Sequence, residues 1–380
     1  MSAVIVSDKT DTLEVHHYDD QCSILTPSEV KAQRGIVKNI ATGKVVCRSF
    51  PFTPEILGSD LPNLSEWIQP LVDEKIPAYK SWEGTLLRVW CHEGRWMIST
   101  HRKLDAFKSR WGSDKSYGDL FLSVLARDWD IWTSGLNPQR VYIFLLRSGL
   151  NNRVVCTAFS DPALFVIGSF QSENNADWNY VAGKDCTETG FSAPEPVDYS
   201  TLDDLVKFTN ECDPFESQGV IMIGGNGEKV GKILNDRYDT LQKIRDNVPG
   251  VMLRYAQVRR DAELCEKFKS LYGDYSQAFE AFEATFSNVC QNIYKKYVTR
   301  YIHKRVAFAP PEQFEIMKAL YEDWKQTRNR ISEDSVREYV GSLPAGPIIN
   351  LYKRFNSRRE KFGDGNFVPE EFRAKISAGM

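Results

Sequence analysis

The chain has no Cys-x-x-Cys pair, and its eight cysteines (positions 22, 47, 91, 156, 186, 212, 265 and 290) fall singly. Zinc-ribbon and thioredoxin-type sites therefore lose their spacing, and reduced structural thiols of a cytosol-like compartment are expected. Histidine is scarce at five residues, and the adjacent His16-His17 lacks metal-ligand spacing, so no metal site is expected. No apolar run approaches the roughly 18 residues of a membrane span. The opening Met1-Ser2-Ala3-Val4-Ile5-Val6-Ser7 has neither a basic region nor a long apolar stretch, so no secretion signal and no membrane partner are expected. No Gly-Lys-Ser/Thr comes after Gly224-Gly225-Asn226-Gly227, which removes the P-loop route to a phosphate and leaves a hairpin turn. Internal repeats and low-complexity segments are absent too.

What is present is an ordinary globular composition, 42% hydrophobic and 26% charged, in a length of 380 residues that suits two domains. The net charge of −3 hides an asymmetry. Residues 251–380 carry 22 Lys+Arg against 17 Asp+Glu, while residues 1–250 carry 26 against 34. The last third is the part expected to face a polyanion.

Texture changes near Pro249-Gly250. Before it, strand-length runs rich in β-branched and aromatic residues alternate with turn signals: 35–37, 44–47, 86–90, 95–99, 141–146, 153–156, 163–167 and 219–223. Two helices, about 117–129 after Ser116 and 201–211 after Ser200, interrupt them. Beyond residue 260 the periodicity becomes helical over 261–273, 275–305, 311–328, 333–342 and 346–361, with breaks at Gly273, Pro310-Pro311, Ser332 and 343–347. The expected fold class is α+β: antiparallel sheets over 1–250, then a helical, mildly basic domain over 251–380. Within the latter, Lys296, Arg300 and Lys304 recur at i, i+4 and i+8, with Tyr294, Tyr297 and Tyr301 on an adjacent face. Such a stripe suits a nucleic-acid backbone with tyrosines, Tyr297 among them, supporting bases. A helical core with a solvated basic edge explains it equally.

The segment Tyr79-Lys80-Ser81-Trp82-Glu83-Gly84 nearly reproduces the Lys-x-Asp/Glu-Gly of covalent nucleotidyltransferases, in which a lysine amine attacks a nucleotide α-phosphate. Three residues before Gly84, however, stands Ser81, and the nearest lysine, Lys80, is one position early. Other landmarks come in order: Arg34-Gly35-Ile36-Val37, Arg48-Ser49-Phe50-Pro51-Phe52, Arg88, residues 94–103, Val141–Leu145 with Asn152–Val155, Gln218-Gly219-Val220-Ile221 and Gly231–Tyr238. Taken together, residues 30–245 resemble the adenylation domain of the phage type-1 RNA ligase family, closest to ligase-like proteins of large cytoplasmic DNA viruses.

The resemblance implies a nucleotidyltransferase fold of antiparallel sheets. It implies nucleotide contacts from Arg48, Glu83, Gly84, Arg88 and Lys232. It also implies Lys80 as the only available nucleophile, and ATP with magnesium as cofactors if the chain is active. Where the family places a metal-organising glutamate after Phe, this chain has Leu145; Gln218 and Leu234 replace a second carboxylate and a second phosphate-binding lysine. Read alone, Glu83-Gly84 is also an ordinary turn, and Arg48, Arg88 and Lys232 are compatible with solvated strand positions. Three functions stay open. The first is a catalytically degenerate ligase-like protein that binds RNA, another nucleic acid or a protein partner. The second is an active ATP-dependent RNA ligase using Lys80, and the third is a virion-associated structural protein. The expected location is cytoplasmic or virion-associated.

Overall fold

The β-branched and aromatic runs of the first 247 residues pair into three sheets in the computed structural model, which describes residues 3–112, 114–148, 154–155, 162–173 and 177–362. The strands are β1 (Val4–Lys9), β2 (Leu13–Tyr18), β3 (Ile36–Asn39), β4 (Val45–Cys47), β5 (Glu55–Leu57), β6 (Ala78–Ser81) and β7 (Thr85–His92). They continue with β8 (Arg95–Ser99), β9 (Arg140–Arg147), β10 (Ala163–Gln171), β11 (Asn179–Ala182), β12 (Pro196–Val197), β13 (Gly219–Gly224) and β14 (Lys229–Leu234). Their orders are β1-β2-β3-β4, β11-β10-β9-β7-β8 and β12-β6-β13-β14-β5. All pairings are antiparallel except β14 with β5. After Asn247 the chain divides into a second compact unit.

Period-2 alternation explains the layering. On β9, Val141 and Ile143 pack with Trp90, Ile223 and Val230 between the two five-stranded sheets. The intervening Tyr142, Phe144 and Leu146 pack outward beneath the helices Tyr117–Leu125 and Trp129–Ser134. A strand covered on both faces reads as a continuous apolar run, which is why 141–146 was legible. The β13 sheet is likewise covered: Val220, Met222 and Ile233 meet Leu205 of the helix Leu202–Glu211.

Several local expectations shift. The helix expected over 117–129 stops at Ala126, which is left-handed (φ 50°), and restarts at Trp129 under an Asp128 cap. Thr201, not Ser200, caps the second helix, in a capping box with Asp204. The final strand ends at Leu234. There Asn235 accepts hydrogen bonds from the Arg237 and Tyr238 amides and starts the helix Asp236–Arg245, so Tyr238 is helical. The expected strand over 153–156 lies, apart from residues 154 and 155, outside the described residues, as does the turn at Asn151-Asn152.

The second unit is helical, as expected: Val251–Val258, Ala262–Leu271, Ser276–Tyr297, Pro311–Thr327, Glu333–Ser342 and Ala345–Phe362. Phe279, Phe282, Phe286 and Val289 fill the buried stripe of its longest helix. Arg259 grips Glu283 at 2.8 Å through Nε and 2.5 Å through Nη2 while lying 4.0 Å over the Phe286 ring. The α+β class with antiparallel sheets and a helical C-terminal region holds. Among the described residues no helix is long and apolar enough to cross a membrane.

Gly84 marks a close approach between the turn before β7 and β9. A Cβ there would lie 2.6 Å from Leu145 Cδ1 and 2.7 Å from the Leu146 carbonyl oxygen. The leucine can move, but the carbonyl belongs to the β7–β9 ladder. Gly84→Ala is expected to cost about 1–3 kcal/mol by overpacking. The measurement is the denaturant midpoint at unchanged slope, and an unshifted midpoint would show that the turn yields.

Candidate functional site

The two five-stranded sheets and the β1–β4 sheet enclose a cavity of about 710 Å³. Arg34, Lys80, Ser81, Gly84, Leu145, Gln218 and Lys232, far apart in sequence, all border it.

The strand β6 decides which of its side chains face inward. Tyr79 packs with Ile221 on the cavity side, whereas Ala78 packs with Val220 and Met222 on the opposite side. Alternation therefore puts Ser81 on the Tyr79 face and the Lys80 side chain on the Ala78 face. Lys80 borders the cavity at the strand's end, but its ammonium lies 4.0 Å from the Glu216 carboxylate. Ser81 is 5% exposed, and its Oγ donates to Gln218 Oε1 at 3.4 Å. That partner is a neutral amide, too weak a base to activate the hydroxyl as a nucleophile.

From Ser81 a chain of polar contacts runs across the sheet. Lys232 Nζ donates to Gln218 Oε1 at 2.7 Å and to Glu55 Oε1 at 2.9 Å. Gln218 Nε2 donates to the Tyr238 hydroxyl at 2.6 Å, and that hydroxyl donates to Glu83 Oε1 at 2.8 Å. Glu83 also accepts the Val154 amide at 3.0 Å and the Val155 amide at 2.6 Å. The tyrosine has one proton, already directed to Glu83, so it can only accept from residue 218. An amide satisfies that geometry and a carboxylate does not. The Lys232 charge holds the Glu55 carboxyl below its usual range.

The other end of the cavity is cationic. His17, Arg34, His101 and Arg102 border it. Burial first, and then the fields of Arg34 and Arg88, push His101 well below the ordinary histidine value; its Nε2 lies 2.7 Å from Ser49 Oγ. Burial likewise lowers His17, with Arg102, Arg34 and Arg88 adding to the effect. Asp20 pairs with Arg102, while Arg34 contacts the Pro51 carbonyl and Thr53 Oγ1, each at 3.3 Å. Arg34 and the buried Arg88 act on both imidazoles and Arg102 on His17, which makes this end attractive to an anion. Sequence reasoning gave His17, His101 and Arg102 no site role, because they lie in β2 and in the turn after β8 and meet only in the tertiary structure.

The expected site residues are not all brought together. Glu83, Gly84 and Lys232 converge. Arg88 is fully buried instead, donating to the carbonyls of Gly35 and Thr100 and, at 3.1 Å, to Ser99 Oγ. Arg48 pairs with Glu228 at 2.6 Å over the Phe170 ring. Neither arginine borders the cavity, because each is turned to protein partners, Arg88 from within β7 and Arg48 from just after β4.

The basic stripe of the second unit is also divided. A π-helical segment, Val298–Ile302, inserts an extra residue into the turn and rotates the residues after it. Lys296 points inward to Gln313 Oε1 at 3.0 Å, and burial with the Arg358 charge pulls its ammonium down to about 8. Tyr297 is 2% exposed, in the core, whereas Arg300 and Lys304 remain exposed.

Among the described residues, the carboxylates at and behind the cavity wall are already engaged and do not fit a divalent metal. Glu55 is engaged by Lys232, Glu83 by three donors, and Leu145 offers no lone pair. Among the described residues no group of three His, Cys, Asp or Glu side chains could hold a metal ion.

No protein-family profile matches the chain. It is similar to the immediate-early protein ICP-46 homolog of Invertebrate iridescent virus 6, at 25% identity over 302 residues covering 73% of this chain and 64% of that protein. The homolog of Invertebrate iridescent virus 3 is 28% identical over 294 residues, covering 73% and 63%. Both sequence relatives are viral. The chain spans a little under two thirds of their length. Among solved structures it is similar to an archaeal ATP-dependent RNA ligase, with a TM-score of 0.39 and 12% identity over 94% of this chain and 76% of that one. Naegleria gruberi RNA ligase with PPi gives a TM-score of 0.37 and 9% identity over 52% and 58%.

Removing the hydroxyl in Tyr238→Phe leaves Gln218 Nε2 without its acceptor and Glu83 without one donor. A loss of about 1–3 kcal/mol is expected in chemical denaturation; a loss near zero would mean that water replaces the hydroxyl. Lys232→Met should destabilise in a pH-dependent way. Glu55 has a folded value below its usual 4.5, so its contribution is present above that value and lost as pH falls through the lower folded value. The stability gap between wild type and Lys232→Met should therefore be widest above about pH 5 and narrow below it, as read by thermal melts from acid to neutral pH.

Proposed function

We propose that this chain is an RNA-ligase-like nucleotidyltransferase relative of the phage type-1 kind, whose cavity holds a phosphorylated nucleotide or strand end without bonding to it. The observation that carries this reading is the inward side chain of β6: Ser81 occupies the place of the covalent lysine, and alternation directs Lys80 to the other face. Around that point Arg34, Arg102 and Lys232 supply positive charge, while the nearby carboxylate of Glu55 is already paired. Such a cavity suits a phosphate, while both ammonium groups at its border stand beside carboxylates, Lys80 at 4.0 Å from Glu216 and Lys232 at 2.9 Å from Glu55, and the carboxylate set for in-line transfer is reduced.

The test uses α-labelled ATP with magnesium or manganese. No label should survive denaturation, while equilibrium binding of ATP or a 5′-phosphorylated oligonucleotide persists in EDTA. Arg34→Gln should weaken that binding by roughly 10- to 100-fold, the value of one charge-assisted hydrogen bond. A denaturation-stable adduct lost in Lys80→Ala would replace this reading with an active ATP-dependent RNA ligase.

A further inference from the structure

The second unit carries an aromatic ladder beside an acid-free basic segment. Residues 294–311 contain Lys295, Lys296, Arg300, Lys304 and Arg305 and no Asp or Glu. The rotation at the π-helical segment brings Tyr301 over Tyr321 of the helix Pro311–Thr327, with ring centroids 4.2 Å apart and planes 15° from parallel. Tyr321 in turn lies 5.5 Å from Trp324 at 19°. The buried Tyr297, 5.0 Å from Tyr301, anchors the inner end of the row. The other three rings are partly exposed.

Cations surround this row. Lys304 lies 6.0 Å and Lys325 4.8 Å from the Tyr321 ring, Arg328 lies 5.0 Å from Trp324, and Arg300 lies 5.0 Å from Phe314. Lys325 is paired with Glu322 at 2.8 Å. Arg300, Lys304 and Arg328 are exposed. Glu322 and Asp323, exposed on the same helix, are the acids closest in sequence to the rings.

We propose that Tyr301, Tyr321 and Trp324, flanked by Arg300, Lys304 and Arg328, form a binding surface for single-stranded nucleic acid. Within the row Tyr321 is covered by Tyr301 and Trp324, so an unpaired base meets it at its partly exposed outer end, Trp324, in place of the Arg328 guanidinium, while the exposed guanidinium and ammonium groups meet a phosphodiester backbone. A duplex hides its base faces and cannot use the ladder. This surface lies entirely in the second unit and does not depend on the reading of the cavity.

The experiment is fluorescence anisotropy of the full chain with 5′-hydroxyl oligo(U) and oligo(dT), titrated over a range of salt concentrations. The triple variant Arg300→Gln, Lys304→Gln, Arg328→Gln should weaken binding and reduce the log–log salt slope by about 2, at roughly 0.7 per single-strand phosphate contact. Trp324→Ala should weaken binding by roughly 5- to 150-fold at an unchanged slope, the range for one stacked base. Trp324→Phe should recover most of the loss, which a purely structural role predicts only if the melting temperature recovers in parallel. The unlabelled duplex should compete poorly. Arg34→Gln, which alters the cavity, should leave this binding unchanged, separating failure here from failure there. An unchanged affinity and slope in the folded triple variant, or no binding of any oligonucleotide at low salt, overturns the proposal.

Discussion

An ammonium group enclosed between sheets costs several kcal/mol unless charge and hydrogen bonds compensate it. Lys232 meets that constraint through Glu55, its register partner on the parallel strand β5, and through the amide oxygen of Gln218. Fixing that amide oxygen toward the lysine turns its nitrogen toward Tyr238, which then gives its proton to Glu83. Glu83 holds the backbone at Val154 and Val155. One buried charge thus ties β5, β14, the helix Asp236–Arg245 and the turn before β7 into a single arrangement.

Under the proposed function, the same arrangement favours binding over catalysis. A carboxylate fully engaged by a lysine and another engaged by three donors are poor ligands for an incoming cation, and an apolar Leu145 stands where a third oxygen would help. Positive charge, by contrast, is abundant at the far end of the cavity. There Arg34 and Arg102, with the buried Arg88 behind them, act on imidazoles that burial already disfavours as cations. On the proposed function, a cavity of this kind attracts a phosphate without bonding to it.

In the helical unit, one inserted residue has a comparable reach. An uninterrupted α-helix would align Lys296, Arg300 and Lys304 on one face. Lys296, before the π-helical turn, points inward to Gln313, while Arg300 and Lys304, within and after it, are exposed near the Tyr301–Tyr321–Trp324 row. Cation and ring are thereby juxtaposed at positions that no linear spacing pairs.

Strands such as 95–99 and 141–146, and helices such as 311–327 and 333–342, were legible because each is set by local periodicity, caps and breakers. The order of landmarks along residues 30–245 likewise pointed to Glu83, Gly84 and Lys232 beside one cleft, whereas Arg48 and Arg88, from the same expectation, turn elsewhere. β6 went unread as a strand because four residues with one small apolar side chain carry too little pattern. Without that strand the inward choice between Lys80 and Ser81 has no basis, since alternation fixes faces only relative to a sheet. The roles of His17, His101 and Arg102, the inward turn of Arg88 and the rotation at Val298–Ile302 all depend on which distant segment packs opposite. The sequence by itself determined the elements and the cast of polar residues; only the tertiary structure decided which way they face, because burial and pairing are properties of the neighbours across the fold.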